Sequence, residues 1–218
     1  MHYSPEDGHG LPHNPFKAIV SPRPIGWIGS LDAEGRSNLA PYSFFNAVAD
    51  APPIVMFSTT GRKMTPDAGV KDSLSNIRAT QEFTFNVVGH HLKDPMNASS
   101  GGYEAGEDEF EIAGLEKGRS VKIKAPFVAA APAAFECVLE REVILPAEGE
   151  GMMNVVVFGR VVQVHIRDEY IVDGRYDAEK AAHLARGGYR DYSVARDLFE
   201  MSRPAGGDRE ALSTAAGR

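Results

Sequence analysis

Apolar segments of strand length recur along this 218-residue chain with little helix between them, which already excludes most architectures. Ala18-Ile19-Val20 and then Ile25-Gly26-Trp27-Ile28-Gly29-Ser30-Leu31 read as one mostly buried strand, interrupted by Pro22 and Pro24. Polar Asp32-Ala33-Glu34-Gly35-Arg36 follows, with a glycine placed for positive φ, and reads as a hairpin loop. The return stretch from Asn38 to Asn46 holds Pro41, which has no N–H to give a ladder, so it is predicted at a sheet edge or bulge. Its small and polar residues alternate with aromatics, as a wall against a ligand would.

Pro53-Ile54-Val55-Met56-Phe57-Ser58 is predicted as a short buried strand behind the Pro52-Pro53 turn. Ser73-Leu74-Ser75-Asn76-Ile77-Arg78-Ala79 has helical spacing, with Asp72 or Ser73 as expected N-cap. Glu82-Phe83-Thr84-Phe85-Asn86-Val87-Val88 alternates as a strand does. Residues 90–120 are polar and Gly-rich, an excursion expected to carry one short helix. Late strands are predicted over 135–145 and 154–166, and a helix over 177–185. Strands largely without crossover helices argue against a doubly wound parallel sheet and for an antiparallel barrel with helical insertions. A single domain over 1–218 is expected, with 1–13 and 205–218 as flexible tails.

Composition narrows the function. Lys and Arg total 23 against 30 Asp plus Glu, a formal net charge of -7, so no overall field attracts nucleic acid or an anionic membrane. Any basic site must be local, which suits one bound phosphate. The single cysteine, Cys137, excludes an internal disulfide, and its apolar surroundings predict core packing. The first ten residues lack the basic and apolar regions of a signal peptide, and apolar runs such as 152–157 are too short for a bilayer; a cytoplasmic location is expected. His90 and His91 are adjacent, and His2, His9 and His13 lack partner ligands, so no metal site is predicted. A phosphate loop, a strand-to-helix Gly fingerprint and a Gly-x-Ser-x-Gly elbow are all missing from the sequence.

An ordered set of segments remains. Arg23-Pro24-Ile25-Gly26-Trp27-Ile28 comes first, then 38–46, Pro52-Pro53 before Phe57-Ser58, Lys71-Asp72-Ser73-Leu74-Ser75-Asn76-Ile77, and Glu82-Phe83-Thr84-Phe85-Asn86-Val87. Asp108-Glu109-Phe110-Glu111-Ile112-Ala113-Gly114-Leu115, Glu136-Cys137, Gly159-Arg160-Val161, Gly188-Tyr189 and Arg203-Pro204 continue it. In this order, over roughly 14–204, the chain resembles the flavin reductase-like family of FMN-binding split barrels, which includes flavoredoxins and small components of two-component monooxygenases.

The resemblance implies a mainly β fold, a six-stranded antiparallel Greek-key split barrel with a few helices, and a homodimer with FMN at or near the subunit interface. It also implies a flavin pocket built from Asn38, Leu39, Ala40, Pro41, Tyr42, Ser43, Phe44 and Asn46, with Phe57, Ser58, Lys71, Asp72 and Ser73. Physical chemistry runs alongside: the small side chains allow close approach to a flat ring, Ser43 offers a donor to its edge, and Lys71 with Ser73 and the first helical turn suits a phosphate. The implied activity is hydride transfer from NADH or NADPH to flavin, with an oxygenase or another electron-accepting protein as partner. The cofactor carries that chemistry, so no catalytic side chain is assigned. An electron carrier indifferent to NAD(P)H and a non-catalytic binding barrel stay open. So do plainer readings: Phe44, Phe45 and Phe57 as core, and Lys71 as a solvated helix start. Arg160 and His165, an odd number apart on one strand, should face opposite sides unless a bulge intervenes.

Overall fold

The computed structural model describes residues 1–63 and 69–202. Seven strands form one antiparallel sheet: β1 (Gly26–Leu31), β2 (Ser37–Tyr42), β3 (Phe45–Asp50), β4 (Pro53–Gly61), β5 (Glu82–Asn86), β6 (Ala133–Leu145) and β7 (Met153–Ile166). Their order is β2-β1-β5-β6-β7-β4-β3. The expected six strands are thus corrected to seven, and the sheet does not close. The extra strand is the tail of the stretch read as a ligand wall: after Ser43 and Phe44 the chain turns and pairs Phe45–Asp50 with β4. The two edges, β2 and β3, are successive in sequence, so the split in the barrel lies at that corner.

Pro41 explains why β2 is an edge. It sits opposite Trp27 in the ladder to β1, and among the described residues no strand pairs with its other side. The hairpin before it is built as the sequence suggests. Gly35 takes φ +83°, and the Asp32 carboxylate accepts from the N–H groups of Glu34 (3.0 Å) and Arg36 (2.8 Å).

β1 is buried on both faces because it runs between two apolar clusters. Ile28, Phe57, Leu74, Ile77, Phe83, Cys137, Val155 and Val157 belong to one; Trp27, Leu39, Leu92, Met96, Phe110 and Val128 belong to the other. Alternate side chains of a strand point to opposite faces, so neighbours Trp27 and Ile28 serve different cores. Gly159 is a matter of space: a Cβ there would lie 2.2 Å from the buried Phe83 ring. Cys137 is fully buried, and that burial pushes its thiol well above the ordinary range.

Helix α1 (Asp72–Thr80) packs on β1 and β2. Its N-cap is Lys71, not Asp72 or Ser73, and no side chain caps it. The 90–120 excursion holds α2 (Lys93–Ala98) and α3 (Glu109–Ile112), more than the one helix expected. The predicted helix over 177–185 shrinks to Ala178–Ala181. Ala182 turns left-handed at φ 50°, and Leu184–Arg186 pairs instead with Arg23–Pro24 and Tyr192–Val194 in a small sheet. A bulge between Val161 and Gln163 does intervene on β7; Arg160 nonetheless pairs with Glu140 and His165 with Glu136. Among the described residues no helix is long and apolar enough to cross a membrane, and no group of His, Cys, Asp and Glu is placed to hold a metal. Arg203, Pro204 and the 205–218 tail lie outside the described residues.

Candidate functional site

The edge strand β2 and the start of α1 face each other, and the loop after α2 covers the space between them. A hollow of about 150 Å³ results, lined by Asn38, Ala40, Pro41, Tyr42, Lys71, Asp72 and Ser73, with Ser99 to Tyr103 and Glu109 opposite. A larger hollow of about 380 Å³ adjoins it, sharing Pro41 and Ser100 and reaching Ser43 and Arg23. Neither the ribbon nor the helix stands alone, because buried polar groups tie them together. Ser73 Oγ donates to Asn38 Oδ1 (2.8 Å), and Asn38 Nδ2 donates to Glu109 Oε1 (2.7 Å). The Leu39 N–H donates to Glu109 Oε2 (2.9 Å), so one carboxylate holds both side chain and backbone of the ribbon. Deleting one member of such a buried set leaves others unpaired at a cost of about 1–3 kcal/mol.

Lys71 is half-buried at the mouth of the hollow. Among the described residues it has no carboxylate partner; its ammonium lies 5.6 Å from the centre of the Tyr42 ring. Burial, and then the charge of Lys17, hold it below the usual lysine range. Beside it, Asp72 is neutralised by Lys63 at 3.1 Å. As the first residues of α1, Asp72 and Ser73 have no intrahelical acceptor for their N–H groups. Burial pushes the Tyr42 phenol up to about 12, against the pull of a hydrogen bond with Ser73. Burial likewise pushes Glu109 up to about 7: the Leu39 N–H opposes the rise, and the charges of Asp72 and Asp108 add to it.

Asn38, Ala40, Pro41, Tyr42, Lys71, Asp72 and Ser73 are therefore brought together, with Ser43 on the adjoining hollow. Other expected residues lie elsewhere. Leu39 and Phe57 are fully buried, with side chains in the two cores. Phe44 lies under Lys17 and Arg23, each 5.8 Å from its ring centre. Asn46 faces a separate apolar hollow, and the Ser58 N–H donates to the Phe44 carbonyl (2.8 Å). Sequence reasoning missed the wall from Ser99 to Tyr103, which carries no motif. It is fixed from the core: Trp27 Nε1 donates to Ser99 Oγ (2.9 Å), and Tyr103 Oη donates to the Ala98 carbonyl (2.9 Å). Glu109 was visible only as part of an ordered motif, without a role.

Residues 20–189 match the family described as "Flavin reductase like domain". The chain belongs to that family. Among relatives of this flavin reductase-like protein, an uncharacterized protein of Deinococcus radiodurans is 34% identical over 194 residues, covering 85% of this chain and 82% of that one. One from Aquifex aeolicus is 33% identical over 178 residues, covering 81% and 86%. Among solved structures, nitrilotriacetate monooxygenase component B from Bacillus cereus is 27% identical with TM-score 0.82, over 92% of this chain and 98% of that one. The 2-nitrobenzoate 2-nitroreductase NbaA of Pseudomonas fluorescens is also 27% identical, with TM-score 0.74 over 88% and 89%. Flavoredoxin of Desulfovibrio vulgaris, at 20% identity and TM-score 0.70 over 86% and 94%, shares the fold.

Proposed function

We propose that this flavin reductase-like chain is an FMN-binding oxidoreductase that takes hydride from NADH or NADPH. The observation that carries the reading is Lys71: a half-buried cation without a carboxylate partner among the described residues, at the start of a helix locked to the small-residue ribbon through Ser73 and Asn38. A cation in that state suits an anionic ligand, and the neighbouring N–H groups point the same way. The residues present fit FMN. Lys71 and the backbone N–H of Ser73 suit its phosphate, Ala40, Pro41 and the glycines Gly101 and Gly102 offer the close approach a flat ring needs, and Ser43 lines the next stretch of the groove. The membership of the family and the likeness to a monooxygenase component B support the same reading.

When bound, FMN supplies the ring that accepts hydride. The protein's part is position and dryness. Glu109 and Asn38 tie the ribbon to α3, which positions the wall at Ala40 and Pro41. Ser43, which lines the adjoining hollow, would supply a hydroxyl donor to a bound flavin, and hydride transfer would require no side chain as acid or base. An oxygenase or another electron acceptor takes the electrons. The protein works as a homodimer, a reading supported by apolar side chains exposed along β6 and β7, among them Val143, Ile144, Val164 and Ile166. Light scattering should then give twice the chain mass.

Anaerobic stopped-flow mixing of FMN-loaded protein with NADH and with NADPH tests the activity. Fast bleaching of flavin absorbance by either donor is expected. FMN uptake without bleaching would replace the reductase with an electron carrier, and no uptake would remove flavin altogether.

A further inference from the structure

The 380 Å³ hollow beside the groove has a one-sided charge. Lys17, Arg23 and Arg186 line it and, among the described residues, no carboxylate does, although the chain as a whole carries a formal charge of -7. Among the described residues, none of the three has a carboxylate within ion-pair distance. Assembling like charges without a counterion is unfavourable, and Arg23 bears the strain: burial, and then the charge of Arg186, hold its guanidinium below the usual range. Arg23 is 6% exposed and donates to the backbone carbonyls of Lys17, Val20 and Gly187 (3.1 Å for the last), while its Nε is buried with no acceptor. Arg186 lies 4.5 Å from the centre of the Tyr192 ring and donates to the Tyr189 carbonyl (2.6 Å). Carbonyls and a ring, not anions, hold both guanidinium groups in place.

We propose that this hollow is a second phosphate subsite, which takes the pyrophosphate of the dinucleotide electron donor. It rests on reading the adjoining groove as the flavin site. Planar guanidinium groups match phosphoryl oxygens in geometry and charge. The groove already has its own anion end at Lys71 and Ser73, and the two ends meet at Pro41 and Ser100. A nicotinamide lying against a flavin along the Pro41 wall would therefore leave its phosphates toward Lys17 and Arg186. Lys17 is also close enough to Lys71 for its charge to lower that lysine, which places the cations of the two hollows near one another.

A phosphoryl group there could belong to the donor or to FMN itself, and titration separates them. ADP-ribose, which carries the pyrophosphate without nicotinamide, is titrated calorimetrically into FMN-loaded wild type, Lys17→Gln and Arg186→Gln; Arg23 is left intact because its burial makes it structural. ADP-ribose affinity should fall about tenfold in each variant, with the KM for the dinucleotide rising in parallel and FMN affinity unchanged. Equal ADP-ribose binding by wild type and both variants, or none by wild type, overturns the subsite. So does a loss of FMN affinity in Arg186→Gln, which would give the hollow to the flavin's own phosphate. If wild type takes up no FMN, the flavin reading of the groove fails, and the same titration on flavin-free protein decides the hollow by the same criterion.

Discussion

Replacing Glu109 by glutamine should change how stability depends on pH, in a direction the structure fixes. Burial lifts this carboxyl from 4.5 to about 7, so the folded protein holds a proton that the unfolded chain has released. A group whose folded pKa is raised contributes stability that is fully present below the unfolded value and lost as pH climbs through the folded one. The window here is 4.5 to about 7, and at about 1.4 kcal/mol per decade the loss approaches ~3 kcal/mol. A glutamine side chain in its place cannot titrate. The amide keeps one acceptor for Asn38 or Leu39 but sets a donor against the other, a cost of about 1–3 kcal/mol that does not vary with pH. Urea unfolding of flavin-free wild type and Glu109→Gln, at constant ionic strength from about pH 4.5 to 8, reads the difference. The variant should be clearly less stable at the acid end and gain on wild type by up to ~3 kcal/mol by the alkaline end. A stability gap that stays constant across the range would refute the argument.

Glu136 should behave in the opposite sense. Burial alone would raise it, but the N–H groups of Val121, Lys122 and Ile123 and the His165 ring more than offset that and hold it low. Its stability is present above the ordinary carboxylate range and lost as pH falls below it, so Glu136→Gln should cost about 2–4 kcal/mol near neutral pH and flatten the acid limb of the unfolding curve. Gly159→Ala places a methyl group against Phe83 and should destabilise by about 1–3 kcal/mol in chemical denaturation; an unchanged midpoint would show that the ring yields freely. Ser43→Ala should slow flavin reduction about tenfold in stopped flow while leaving FMN binding nearly intact. A variant with both quantities unaltered removes Ser43 from the mechanism.

What was legible in the sequence was local. Pro41 announced an edge because a missing N–H is a property of one residue, and Asp32 with Gly35 announced a hairpin for the same kind of reason. Elements decided by distant partners were misread. Residues 184–186 are strand because Arg23 and Pro24, far away in sequence, offer them a ladder. Phe45 begins a seventh strand because β4 returns beside it, and helix α1 starts at Lys71 without a side-chain cap because its first turn is held instead by Ser73 on Asn38. The site shows the same division. The ribbon and Lys71 were visible as residues, whereas the wall from Ser99 to Tyr103 is placed by bonds to Trp27 and Ala98 that no spacing encodes.

The central claim is that Lys71 and the ribbon hold one flavin by its phosphate and its ring. Quenching of flavin fluorescence, measured for FMN and for riboflavin with wild type and Lys71→Gln, tests it directly. The account predicts that the substitution weakens FMN about tenfold, the worth of one charge-assisted phosphate contact, and leaves riboflavin unaffected. Equal weakening of both flavins, or of neither, would contradict it.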